Sequence, residues 1–311
     1  MLKFRIIYYI FSSALVLGSI VVLILFGLNL GIDFAGGALF EITITPKEAG
    51  NAIDIERWLE TATEPKIGEA RVQDTGTGFL IRLRALSEKE HGDVIALIQN
   101  GAQVYAKTAG LKESVKITEQ RFESVGPTIG KELQSKAFLQ LALVLSGIMF
   151  YVAWAFRHVG KVRSQKGFAW KFATVAIIAL IHDVSITIGV FAVLGKFFDV
   201  EIDSSFIAAI LLVLGYSVND TIVVFDRIRE NLIRHRFEND LAIIVNKSVA
   251  DTMVRSLNTS LTILLVLFAL LFFGGGATFY FSLALTIGIS VGTYSSIFLA
   301  SPLLYDWERK K

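Results

Sequence analysis

Cysteine is absent from the 311 residues, which excludes disulfides, thiol chemistry and cysteine-ligated metals. Charge is scarce too: Asp, Glu, Lys and Arg make up 19% of the chain against 53% hydrophobic residues, and mean hydropathy is +0.59. A soluble enzyme of this length rarely has that balance. No phosphate-binding loop, catalytic triad or metal-ligand cluster can be picked out, so the chain is not read as an enzyme and no cofactor is expected.

What the chain has in abundance is long apolar runs. Stretches near 6–28, 137–156, 172–194, 205–225, 256–273 and 277–300 are each about the length that crosses a bilayer as helix. Six spans follow. Lys3 and Arg5 precede the first, as in a signal peptide, but its apolar run exceeds a signal core and no small-residue cleavage site follows, so it is expected to be a permanent anchor.

Positive charge is distributed unevenly. It gathers at Lys3 and Arg5, in the 157–171 loop (Arg157, Lys161, Arg163, Lys166, Lys171), in 226–255 and in the tail (Arg309, Lys310, Lys311). The connections 195–204 and 274–276 contain a single Lys. With six spans the basic segments share one side, which predicts cytoplasmic termini.

The expected domains are therefore 1–28 (cytoplasmic start and first helix), 29–135 (an extracytoplasmic domain) and 136–311 (helices two to six with their loops and tail). Within 29–135, alternating runs at 38–45, 69–76, 78–85 and 113–122 are separated by helical patterns near 51–62 and 88–107, and DTGTG at 74–78 marks a turn. The order β-α-β-β-α-β predicts a small α+β ferredoxin-like domain. The fold class is a polytopic α-helical membrane protein with six transmembrane helices and this one extracytoplasmic domain. In 226–255, Leu241, Ile244, Val245, Val249, Thr252 and Met253 recur at helical spacing, which reads as an amphipathic helix in the membrane interface or as a soluble connecting helix.

The informative residues are the polar ones inside the apolar runs. An ionised side chain at mid-membrane costs about 2.5–3.5 kcal/mol on insertion scales, so it implies an interior face, a water-filled cavity or a partner. Asp220 lies in the fourth span with Ser217 and Thr221 on its face and Asn219 adjacent. Asp183 is the deepest acid, in the third span, beside His182 and one turn before Thr187. In the fifth span Arg255, Asn258 or Thr259, and Thr262 share a face. On spacing alone Arg255 either pairs with Asp220 or extends to lipid phosphate. Thr286, Ser290 and Thr293, with Gly288 and Gly292 nearby, read as a close-packing stripe in the sixth span. Titratable and hydroxyl groups on three spans are what an ion or proton relay requires.

Three stretches resemble a known family. GIDFAGG (31–37), with Gly31, Asp33, Phe34, Gly36 and Gly37, and VGPTIGKEL (125–133), with Gly126 and Pro127, are similar to the junction motifs of the SecD/SecF protein-export family of the resistance-nodulation-division superfamily. GYSVNDTIVVFDRIREN (215–231), with LIHD (180–183) before it and VRSLNTSLT (254–262) after it, resembles the SecF branch. The resemblance implies an accessory subunit of the Sec translocase in a bacterial cytoplasmic membrane. Its partners would be SecD, the translocon channel with its associated membrane subunits, the translocating preprotein and membrane lipid, with no nucleic acid. It also implies half of a twelve-span unit driven by an ion gradient, H+ or Na+, with Asp220 as the ion-carrying acid, Arg255 its basic partner and Asp183 a second acid. The rivals are half of a small-molecule or lipid transporter, and a scaffold that uses no gradient. Both glycine junctions read equally as hinges or as fixed turns.

Overall fold

Strand β1 (Gly37–Thr45) buries Ala38, Phe40, Ile42 and Ile44 and turns Glu41 and Thr43 the other way, the alternation of a sheet with one covered face. In the computed structural model, which describes residues 1–62, 64–111, 114–157, 168–234 and 240–309, it pairs antiparallel with β3 (Phe79–Leu83) and β4 (Lys116–Val125). β2 (Arg71–Asp74) pairs with β3, giving the order β2-β3-β1-β4. The expected turn is present: Gly76 N–H donates to Asp74 Oδ1 at 2.7 Å and Thr75 N–H to the Gly78 carbonyl at 3.0 Å. Helices α3 (Ala52–Glu60) and α4 (Glu88–Thr108) cover the sheet with Ile55, Leu59, Val94, Ile98 and Ala102. This is the ferredoxin-like arrangement. Asn51 caps α3 through the Asp54 N–H at 2.9 Å, and Ser87 and Glu90 form a capping box on α4.

Contacts divide the chain into this sheet unit, Leu30–Lys136, and a helical unit, Met1–Asn29 with Ala137–Lys311. Among the described residues, six helices are long and apolar enough to cross a membrane. They begin with α1 (Arg5–Phe26), then, after the short α2 (Ile32–Ala35) of the sheet unit, α5 (Pro127–Ala155), α6 (Phe168–Phe198), α7 (Ser204–Arg234) and α8 (Leu241–Phe273). The last span joins α9 (Gly276–Ser295), a π-turn (Ser296–Ala300) and α10 (Ser301–Arg309). α6, α7 and the last span form the buried centre, whereas α1, α5 and α8 are mostly exposed. Lys161, Arg163, Lys166, Lys310 and Lys311 of the basic pattern lie outside the described residues.

Small residues set the closest approaches. A Cβ on Gly189 of α6 would lie 2.4 Å from Ser19 of α1, and one on Gly288 of α9 would lie 2.3 Å from Val213 of α7. The glycines of the sixth span are thus packing residues, as their spacing predicts. At one end of the bundle, Phe156 stacks on Phe172 with ring centres 4.7 Å apart, and Phe225 meets Phe172 edge-on at 5.2 Å.

The stretch 241–253 differs from expectation. It is not a separate helix but the first turns of α8, which is capped by Asp240 and continuous for 33 residues. No Gly or Pro interrupts 241–273 to break it. Its apolar face, Ile244, Val245 and Val249, packs in the bundle core with Ile228, Leu232 and Leu304. Arg227 ties α7 to α8 through Asp251 at 2.7 Å, and the buried Asn231 donates to Ser248 at 2.8 Å.

Candidate functional site

Besides Glu308, which pairs with Lys171, two carboxylates occupy the interior of the helical unit among the described residues. Asp183 of α6 is fully buried and Asp220 of α7 is 5% exposed. Asp183 is held on three sides: His182 Nδ1 lies 2.9 Å from Oδ1, while Ser217 and Ser295 donate to Oδ2 at 2.5 and 2.9 Å. Asp220 accepts from Ser296. Among the described residues no Lys or Arg forms an ion pair with either acid. In an apolar setting a buried carboxylate depends on its partners, and here they are hydroxyls and one imidazole.

The helix faces explain which side chains reach this interior. Ser217, Asp220 and Thr221 are all buried on α7, as their spacing predicts. A stripe of hydroxyls on α8, Ser248, Thr252, Ser256 and Ser260, repeats every four residues and fills the inward face. Tyr216 of α7 shares a hydrogen bond of 2.8 Å with Ser260, which meets Thr293 of α9 at 2.6 Å. The Oγ atoms of Thr221 and Ser256 and His182 Nε2 are buried without a hydrogen-bond partner.

Arg255, Asn258 and Thr259 sit elsewhere. With the inward stripe occupied by Thr252, Ser256 and Ser260, Arg255 is rotated about 100° from Ser256, and all three residues are exposed, as is Thr262. The expected pair between Arg255 and Asp220 is not formed within this chain: no hydrogen bond or ion pair joins them among the described residues. Asn219 is also exposed, one position from Asp220 on the outer side of α7. The antiparallel register fixed by Tyr216–Ser260 and Arg227–Asp251 brings Asn219 opposite Asn258. The candidate residues therefore divide into a buried set, Asp183 and Asp220, and an outward polar patch, Asn219, Arg255, Asn258 and Thr259.

Ser295 and Ser296 have no counterpart in the sequence reading. They are adjacent and both fully buried, and each serves a different acid. The π-turn over Ser296–Ala300, with Ser301 Oγ donating to the Ser296 carbonyl at 3.2 Å, admits one extra residue per turn. The SS dipeptide in an apolar span was the only signal for it, and helical periodicity assigns two adjacent residues to different faces.

The junction residues lie in the sheet unit. Gly31 precedes α2, which contains Asp33 and the buried Phe34. Gly36 and Gly37 have φ of 77° and 140°, which glycine tolerates best. A Cβ on Gly36 would lie 2.9 Å from Pro127 Cα, and one on Gly130 would lie 2.9 Å from the Phe34 carbonyl oxygen. The two motifs interlock, backbone against backbone, which favours fixed turns over free hinges. Gly126 has open space around it, and nothing in the structure explains a glycine there; Pro127 opens α5, where a missing N–H does no harm.

Residues 104–310 match the family model described as protein export membrane protein SecD/SecF, C-terminal, and residues 21–48 match that of the SecD/SecF GG motif. The protein translocase subunit SecF of Thermobaculum terrenum is 41% identical over 99% of this chain and 93% of its own length. That of Pseudomonas aeruginosa is 38% identical over 89% of this chain and 81% of its own. Among solved structures, SecDF of Thermus thermophilus, a translocon-associated membrane protein, superposes with a TM-score of 0.76 at 34% identity, covering 99% of this chain and 38% of that one. The chain belongs to the SecF family of protein translocase subunits.

Proposed function

We propose that this chain works with SecD beside the Sec channel of a bacterial cytoplasmic membrane, its termini on the cytoplasmic side, and couples a transmembrane ion gradient to preprotein export. It acts as a mechanical subunit rather than an enzyme. The observation that carries the reading is Asp220, a carboxylate buried within a membrane-length helix with a serine donor and no cationic partner among the described residues. A carboxylate held there can take up and release a cation or proton, and loading or unloading it changes the energy of the surrounding helices. The membrane potential supplies about 2.3 kcal/mol per elementary charge per 100 mV, the scale needed to bias two packings that differ by a few kcal/mol. The coupling ion is H+ or Na+, since a carboxylate with hydroxyl neighbours suits either.

The outward polar patch supports a half-bundle. Asn219, Arg255 and Asn258 would otherwise present hydrogen-bonding groups to hydrocarbon, which satisfies none of them, whereas Thr259 already donates to the Arg255 carbonyl at 2.8 Å. A second six-span half, SecD, covers them in this reading, and Arg255 acts across that interface near the ion path. The SecDF chain of Thermus, of which this chain spans 38%, has room for both halves in one polypeptide.

The test is preprotein secretion into vesicles energised by a proton or a sodium gradient, with the parent chain and Asp220→Asn. Secretion should fall at least tenfold toward the gradient-free level in the variant while assembly with SecD persists. Equal secretion by both chains under every gradient would leave a scaffold as the remaining role.

A further inference from the structure

Ser295 and Ser296 stand between the two buried acids, and each has two acceptors in reach. Ser295 Oγ lies 2.9 Å from Asp183 Oδ2 and 3.1 Å from the Gly292 carbonyl. Ser296 Oγ meets Asp220 and lies 3.2 Å from the Thr293 carbonyl. A hydroxyl has one hydrogen to give. Facing an ionised carboxylate it donates there, because charge-assisted bonds are the stronger. Facing a protonated or cation-loaded carboxyl, whose oxygens are poorer acceptors, the same hydrogen turns to the carbonyl one turn back. Each serine thus reports the charge of its acid to the backbone of α9.

We propose that the Ser295–Ser296 pair, carried on the π-turn, is a positioning element that makes the charge states of Asp183 and Asp220 interdependent. The two residues share a peptide bond, and Ser301 already holds the Ser296 carbonyl in the wider winding of the turn. A reorientation of one hydroxyl therefore alters the backbone that aims the other. The same turn touches α8, because Thr293, whose carbonyl Ser296 can use, bonds Ser260 through its side chain. Titratable groups close to the acids are few. His182 bonds Asp183, the Tyr294 ring lies 6.3 Å from the His182 ring, and Tyr216 lies within electrostatic reach of Asp220. From α8 the facing groups are the neutral Ser256 and Ser260, while Arg255 lies on the outer face. The serine pair supplies what none of these does, two donors joined by one peptide bond and aimed at acids on two different helices.

The inference rests on the ion-coupled reading of Asp220, but its test does not use secretion. The full chain, purified with SecD in lipid, is titrated by infrared difference spectroscopy, with the carboxyl C=O bands assigned by Asp183→Asn and Asp220→Asn. In the parent, removing either acid should move the midpoint of the other's band. In Ser295→Ala/Ser296→Ala that cross-effect should shrink by at least half. An unchanged cross-effect overturns the proposal. Should the double variant fail to insert, Ser296→Ala alone decides: the Asp183 band should move although Ser296 does not touch Asp183, and movement confined to the Asp220 band overturns the link. A failure of Asp220→Asn to affect secretion would sink the functional reading while leaving this measurement interpretable.

Discussion

Gly292 lies one turn before the serine pair, and a Cβ placed on it would lie 2.9 Å from Ser217 Cβ and 3.4 Å from Asp183 Oδ2. Gly292→Ala should therefore push Ser217 off Asp183 and remove one of the acid's three partners. A hydrogen bond to a charged group contributes about 1.5–3 kcal/mol, so the Asp183 carboxyl band should shift its midpoint in an infrared titration. Gly147→Ala, at a glycine with open space around it, should leave that midpoint unmoved. At this scale the acids were legible and their donors were not. Asp183 and Asp220 stand out because a charged letter in an apolar run is costly wherever it points. A serine in such a run is cheap, often bonding its own helix, as Ser260 does to the Ser256 carbonyl at 2.8 Å. Only coordinates distinguish that from a bond to an acid.

Between residues and the whole stands the element, where rotation about a helix axis decides function. The polar residues of α8 lie on two faces, one with Arg255, Asn258, Thr259 and Thr262 and one with Ser248, Thr252, Ser256 and Ser260. Packing selected the second, since small hydroxyl residues that bond their own carbonyls let helices approach closely while Arg255 does not. Strand and turn positions in the sheet unit were easier to read, because alternation and DTGTG are local signals; β4 nevertheless runs three residues beyond its expected end, to Val125, where Ser124 bonds Leu86. Local chemistry also sets a pH dependence there. Arg84, and then Ser87, hydrogen-bond Glu90 and hold its carboxyl down to about 2. The folded value is below the ordinary 4.5, so this support for α4 is complete above 4.5 and disappears as pH falls toward about 2. Ser87→Ala should cost about 1 kcal/mol at neutral pH and flatten that acid limb. Denaturant titration followed through Trp58, in a chain whose other three tryptophans are Phe, reads both effects because Trp58 packs against Gly101 of α4. The same probe should report a loss of about 1–3 kcal/mol for Gly130→Ala, whose Cβ meets the Phe34 carbonyl.

For the molecule as a whole, the exposed faces matter as much as the buried ones. Hydrocarbon accepts the exposed Ile6, Ile10 and Leu17 of α1 or Phe138 and Leu143 of α5 without cost. It offers nothing to Asn219, Asn258 or Arg255. The outward direction of these polar groups is invisible to hydropathy, which counts residues without regard to direction. The absence of cysteine makes this testable at single positions. Asn258→Cys and Phe138→Cys, each the sole thiol in the chain, can be exposed to a membrane-soluble maleimide with and without SecD. Labelling of Asn258→Cys should fall at least fivefold when SecD is present, and labelling of Phe138→Cys should change less than twofold. Should Asn258→Cys react equally in both preparations, the patch would face lipid or water rather than a second half-bundle, and Arg255 would have to find its partner in the headgroups.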